Sequence, residues 1–138
     1  MTVLARIKIA AVCLIAMAAA APAAHAAQGE CLDGQSSREI TLCYTKLLNQ
    51  ADSDMKAKYQ ELEAPVKHLS VIDAALTKSQ ENWVAYRDQA CETVRLHWLE
   101  GDLETVNVLT CKLTLTRERV SDIDNMFRPL FGAAKDQK

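Results

Sequence analysis

This chain of 138 residues has little turn chemistry, with only four glycines and three prolines. It also lacks any run of alternating apolar and polar residues bounded by turn signals, so no strand is predicted. Aromatics are scarce: two Trp, three Tyr and two Phe. No CxxC pair or histidine cluster is present; His68 and His97 stand apart from each other and from the cysteines, and no metal or cofactor is expected. Basic and acidic residues nearly balance, at 16 against 18. Without a basic cluster, nucleic acid is a poor candidate partner.

What is present begins with a leader. Arg6 and Lys8 precede the apolar run "IAAVCLIAMAAAAPAA", and Ala24-His25-Ala26 has the small-x-small exit that signal peptidase reads. Residues 1–26 are therefore expected to be a secretory signal, with 27–138 forming a single domain. The apolar run is shorter than the roughly 20 residues that span a bilayer, and no later segment approaches that length, so no stable membrane insertion is expected after cleavage. Cys13 lies inside this run rather than after it, which argues against a lipidated cysteine. Removing Arg6 and Lys8 leaves 14 basic residues against 18 acidic ones, or −4 for the expected mature chain. Four cysteines remain beyond the leader: Cys31, Cys43, Cys91 and Cys111. An even count in an exported chain reads as two disulfides, with three connectivities open. A periplasmic or secreted location follows.

Apolar residues recur at helical spacing along the rest of the chain. One stripe runs from Ile40 through Tyr44, Leu47, Ala51, Met55 and Tyr59 to Leu62, with Ser36 and Glu39 as a capping box ahead of it. Pro65 ends it. Ser70 resembles a second helix start, followed by a stripe through Leu76, Gln80, Trp83, Arg87, Cys91, Val94 and Trp98. Gly101 interrupts that stripe, and Asp102 is the expected N-cap of a third helix. This runs through Val108, Cys111, Leu115, Arg119, Ile123 and Met126 until Pro129 closes it. The expected fold is all-α: an elongated antiparallel three-helix bundle with two disulfides.

A hairpin turning at Gly101 sets heights. Cys91 and Cys111 are equidistant from it, and a disulfide needs Cα atoms about 4.4–6.8 Å apart, so this pairing is preferred. Cys31–Cys43 would then be the second bond, although cross-pairing of the first helix with the hairpin stays open. The same rule sets Trp83 opposite Arg119, with Arg87 one turn away. Two guanidinium groups beside one indole need a carboxylate if buried, and Asp52 returns to that height on the first helix. Asp52, Trp83, Arg87 and Arg119 should therefore cluster, with Gln80 filling a remaining hydrogen bond. Neither a nucleophile with a base nor a pair of glycosidase-type carboxylates is evident; Asp88 and Glu92 fall at i, i+4 on a face expected to be solvated. No catalytic residue is assigned, and the stretch reads as scaffold.

These residues resemble the LprI-type lysozyme inhibitor family of small exported helical proteins. The resemblance rests on Cys31 and Cys43, on Asp52, Met55 and Tyr59, and on the block Gln80, Trp83, Tyr86, Arg87, Asp88 and Cys91. It ends with Cys111, Leu115, Thr116 and Arg119. Met55 stands where leucine is usual in the family. The linker between the last two cysteines, often rich in glycine or serine, here reads "LEGDLET". The resemblance implies a non-enzymatic protein that docks on c-type lysozyme, a basic protein with an acidic catalytic cleft. Glu100, Asp102 and Glu104 at the hairpin tip are then candidate contacts, although Asp102 and Glu104 also suit a helix start. The alternative is a structural or adaptor module of the cell envelope with another protein partner. A small-molecule carrier fits less well, because three slender helices leave little interior volume.

Overall fold

The structure, a computed structural model, describes residues 30–32 and 36–132, the side chains of 131 and 132 excepted. The expected leader lies outside the described residues. Three long helices dominate: α1 (Ser37–Glu63), α2 (Ser70–His97) and α3 (Glu104–Asp122). A 3₁₀ turn, Ala64–Val66, joins the first two. A π turn, Ile123–Phe127, carries α3 into a short α4 (Arg128–Gly132). No strand occurs among the described residues.

Helix α1 starts as its sequence directs. Ser36 Oγ accepts from the Glu39 amide at 3.4 Å, and Glu39 Oε2 accepts from the Ser36 amide at 2.9 Å. The Ser36 amide and the Ser36 hydroxyl, the latter at 2.8 Å, both donate to the Glu39 carboxylate and hold it below its ordinary pKa, since each favours the ionised form. The other two expected caps are not formed. Helix α2 begins after Leu69, so Ser70 is already inside it. Leu69 accepts instead, its carbonyl taking the amides of Ile72 and Asp73 at 2.9 Å. Asp102 does not cap α3, whose N-cap is Leu103 with no side-chain bond. Glu104 supplies the local acceptor, taking the Glu100 amide at 3.2 Å.

Pro129 does not close the third helix either; the chain stays helical to Gly132. In the π turn the Arg128 amide reaches back to the Ile123 carbonyl. The next amide in line would be that of residue 129, the one proline lacks. A change of hydrogen-bond register placed here wastes no donor at that position. The extra residue also rotates the helix face, which leaves Met126 half exposed while Ile123 is fully buried.

Helix α3 is the central rod. It packs along both α1 and α2, which meet each other chiefly through side chains. Ion pairs fix a parallel register with α1: Lys58–Asp124 at 3.3 Å and Arg128–Glu61 at 2.7 Å. The same register sets Ser37 level with the start of α3. Toward α1, Val106 and Leu113 pack with Ile40, Tyr44, Ala51 and Cys31. A second cluster, nearer the α1–α2 turn, gathers Met55, Leu62, Val66, Leu76 and Ile123, with Trp83 and Phe127 against it.

The hairpin turn departs from a simple glycine hinge. Glu100 takes the left-handed conformation, at φ 64°. Gly101 is needed for space: a Cβ there would lie 3.0 Å from the Trp98 carbonyl oxygen, which accepts the Gly101 amide at 2.9 Å. Replacing Gly101 by alanine should cost about 1 kcal/mol, because the blocking atom is backbone. Glu100→Gly should be neutral or add up to about 1 kcal/mol, by relieving the left-handed Cβ. Thermal unfolding of the two variants checks both signs.

Candidate functional site

Both disulfides follow the preferred pairing. Cys31–Cys43 has a Cα separation of 5.9 Å and ties the chain ahead of α1 to its second turn. Cys91–Cys111, at 5.7 Å, locks α2 to α3 at matched height. Each closes a loop in the unfolded chain, worth about 2–4 kcal/mol.

Between the two apolar clusters lies a polar layer. Arg87 Nη1 donates to Asp52 Oδ1 at 2.6 Å and to Thr116 Oγ1 at 3.0 Å, so one guanidinium nitrogen joins all three long helices. Its Nε lies 3.4 Å from Asp88 Oδ1. The Arg87 guanidinium sits 5.3 Å from the Trp83 ring centroid, and that of Arg119 sits 5.8 Å from the same centroid. Each such contact contributes about 0.5–2 kcal/mol, toward the upper end when desolvated.

The two arginines are solvated differently. Asp52 serves Arg87 alone, whereas the sequence reasoning gave one carboxylate to both cations. Arg119 lies between two rings, with Phe127 at 5.1 Å on its other side. Its Nε and Nη2 both point to Gln80 Oε1, at 3.4 Å. Burial holds the Arg119 pKa below its usual range, opposed by the charges of Asp122 and Tyr59. Gln80 completes its own bonding through Nε2, which lies 3.4 Å from Met55 Sδ. The methionine that departs from the family pattern is thus an acceptor that leucine could not be.

No helical stripe read from the sequence includes Phe127, because the π turn alters the phase by which it would have been placed. Thr116 is fully buried and entered only through the family pattern. A signal for it did exist: it stands level with Arg87 across the hairpin, and a buried guanidinium needs a nearby acceptor.

The remaining candidates lie around this layer. Tyr59 packs against the lower apolar cluster. Burial pushes its hydroxyl pKa up, opposed by the Thr77 side chain and reinforced by Glu63 and Asp73. Asp88 bonds Lys112 at 3.0 Å. Burial raises the Asp88 pKa, but Lys112 and Arg87 together outweigh that and hold it below the usual carboxylate value. Glu92 makes a fork with Arg95, so the Asp88–Glu92 pair is engaged by cations. Tyr86 stays outside the cluster, 59% exposed. It lines an open groove of about 450 Å³ on the far side of α2 and α3, with Ala90, Val94, Trp98, Thr110 and Leu115. Trp98 is 45% exposed, so it leaves the buried stripe on which it was placed.

At the hairpin tip, Glu100 and Asp102 are exposed, while Glu104 is half buried and lies 3.4 Å from Arg95 Nη1. Among the described residues, all four cysteines are in disulfides, and no group of three or more His, Cys, Asp or Glu is placed to hold a metal ion.

The molecule is therefore a helical hairpin, clamped by a disulfide and an aromatic–guanidinium layer, lying along a third helix. The chain belongs to the lysozyme inhibitor LprI family, which it matches over residues 27–123. It is also similar to uncharacterized protein R02472 of Rhizobium meliloti (strain 1021), at 29% identity over 118 residues, covering 77% of this chain and 85% of that one. No solved structure matches.

Two outcomes test the layer. Asp52→Ala strands a cation whose side chain is 11% exposed, but Asp52 itself is 39% exposed, so water offsets part of the loss. The expected destabilisation is about 2 kcal/mol in urea unfolding, below the usual range for a fully buried pair. Arg119→Met, which gives up no direct carboxylate bond, should cost less than Asp52→Ala. For the disulfide, the double variant Cys91→Ala/Cys111→Ala should lose about 3 kcal/mol. Amide hydrogen exchange should rise first in α2, which contributes only Leu76, Arg87 and Cys91 to the buried set.

Proposed function

We propose that this protein is exported and inhibits c-type lysozyme by docking on it, without chemistry of its own. The observation that carries this is membership of the lysozyme inhibitor LprI family across residues 27–123. Three features agree with it. Two disulfides suit an oxidising compartment. No helix among the described residues is long and apolar enough to cross a membrane. Asp52, Gln80, Arg87, Thr116 and Arg119 hydrogen-bond among themselves, and Trp83 faces both guanidinium groups, which suits a frame better than a reaction centre. Docking then falls to exposed side chains.

A second reading, an adaptor of the cell envelope, draws on the exposed Tyr86 and Trp98 along the outer groove of α2 and α3. That reading predicts a specific periplasmic partner recovered by cross-linking, with lysozyme unaffected. The test that separates them is lysis of a bacterial suspension by c-type lysozyme, with the oxidised protein titrated in. Slowed lysis with a saturable, near-stoichiometric dose response is expected. Unchanged lysis at large molar excess rejects the inhibitor reading and leaves the adaptor.

A further inference from the structure

We infer that the α2–α3 hairpin tip is the surface that docks on lysozyme: an apolar prow of Leu96, Trp98, Leu99 and Leu103, edged by Glu100 and Asp102. This rests on the inhibitor reading above and names its contact surface.

The first observation is exposure. Leu96 is 57% exposed, Trp98 45%, Leu99 52% and Leu103 44%. Four large apolar side chains within eight residues is a concentration that a solvated loop has no folding reason to keep. The cause is architectural. The parallel register of α1 and α3 sets the start of α1 level with the start of α3, so the loop from 98 to 103 has no third helix beside it.

The second is charge. Between residues 92 and 104 stand four carboxylates, Glu92, Glu100, Asp102 and Glu104, against the single guanidinium of Arg95. A partner of opposite sign is drawn to this end of an otherwise nearly balanced molecule, and the acids steer it there in the right orientation. The partner that fits is a basic protein with a cleft able to take apolar side chains, the chemistry the inhibitor reading requires.

The third is backbone conformation. Glu100 is held left-handed although it bears a side chain and a glycine stands next to it. Such strain persists only where surroundings over-determine it, and it gathers at working surfaces. Arg95 supplies the fixing. It forks onto Glu92 at 2.7–2.9 Å and lies 3.4 Å from Glu104, whose other oxygen accepts the Glu100 amide. The tip is braced to α2 before any partner arrives, which lowers the ordering cost of binding.

The experiment compares four full-length oxidised proteins for lysozyme inhibition and for direct binding to immobilised c-type lysozyme. They are the wild type, Trp98→Ser/Leu99→Ser, Glu100→Gln/Asp102→Asn, and a control, Val71→Ser/Leu130→Ser, at exposed apolar positions away from the tip. Circular dichroism and thermal unfolding establish that each is folded, and Leu103→Ser replaces the first double variant should that one not fold. Truncating the apolar pair should weaken inhibition and binding about tenfold or more. Neutralising the acids should slow association by a few-fold and flatten its salt dependence, and the control should match the wild type. If the wild type inhibits and the folded tip variants inhibit equally well, the tip assignment is overturned while the inhibitor reading stands. If the wild type neither binds nor inhibits, the inhibitor reading fails and this inference with it.

Discussion

The architecture depends on one buried cation. Arg87 lies between two apolar clusters, and its buried guanidinium finds its acceptors in Asp52 from α1 and Thr116 from α3. A slip of one turn in any helix would leave that charge without its acceptors, whereas the apolar contacts on either side could be remade with other leucines and valines. The layer therefore specifies register more than it adds stability, in keeping with the small net worth of partly buried ion pairs. Its geometry also explains why one arginine has a carboxylate and the other does not. Arg87 is reached from both flanking helices. Arg119 is enclosed by Trp83, Phe127 and Gln80, so the quadrupoles of two rings and an amide oxygen take the place of a counter-ion.

Helix α3 shows where sequence periodicity suffices and where it stops. A hairpin has one internal distance rule, so positions equidistant from Gly101 meet; Cys91 with Cys111 and Trp83 with Arg119 were legible for that reason. Helices α1 and α2 each bury mainly one stripe, and one stripe is what an apolar pattern reveals. A central helix buries two. The stripe through Cys111 and Arg119 faces α2, Val106 and Leu113 pack toward α1, and Thr116 is buried between them, accepting from Arg87. With both faces occupied, the pattern of α3 loses contrast, and the deeper stripe was the one overlooked. The strongly charged α1 posed no such difficulty: its stripe from Ile40 to Leu62 is buried or half-buried throughout.

The misplaced boundaries share another cause. Ser70 and Asp102 are good capping residues by type, but a cap also needs the chain to enter the helix at the right angle, and the tight turns at Val66–Leu69 and Trp98–Gly101 set that angle through backbone bonds instead. Pro129 breaks a helix only if the donor it lacks was needed. In the π turn it was not. Such local outcomes depend on neighbours far along the chain or on a change of hydrogen-bond register, and residue preferences contain neither.

The frame and the proposed docking surface lie at different heights on the same hairpin, and this separation has a physical advantage. A side chain that holds a buried cation in register cannot also adapt to a partner, because any shift would be felt in all three helices. Residues beyond the end of α1 carry no such duty. The tip can expose leucine and tryptophan, and hold Glu100 in a costly backbone conformation, since Cys91–Cys111 and the layer below already secure the two helices that present it. Change at the tip is then cheap for folding while change at Arg87 is not. With the proposed contact surface placed at the tip, that asymmetry would let one helical frame keep its register while the surface is altered to suit a different partner.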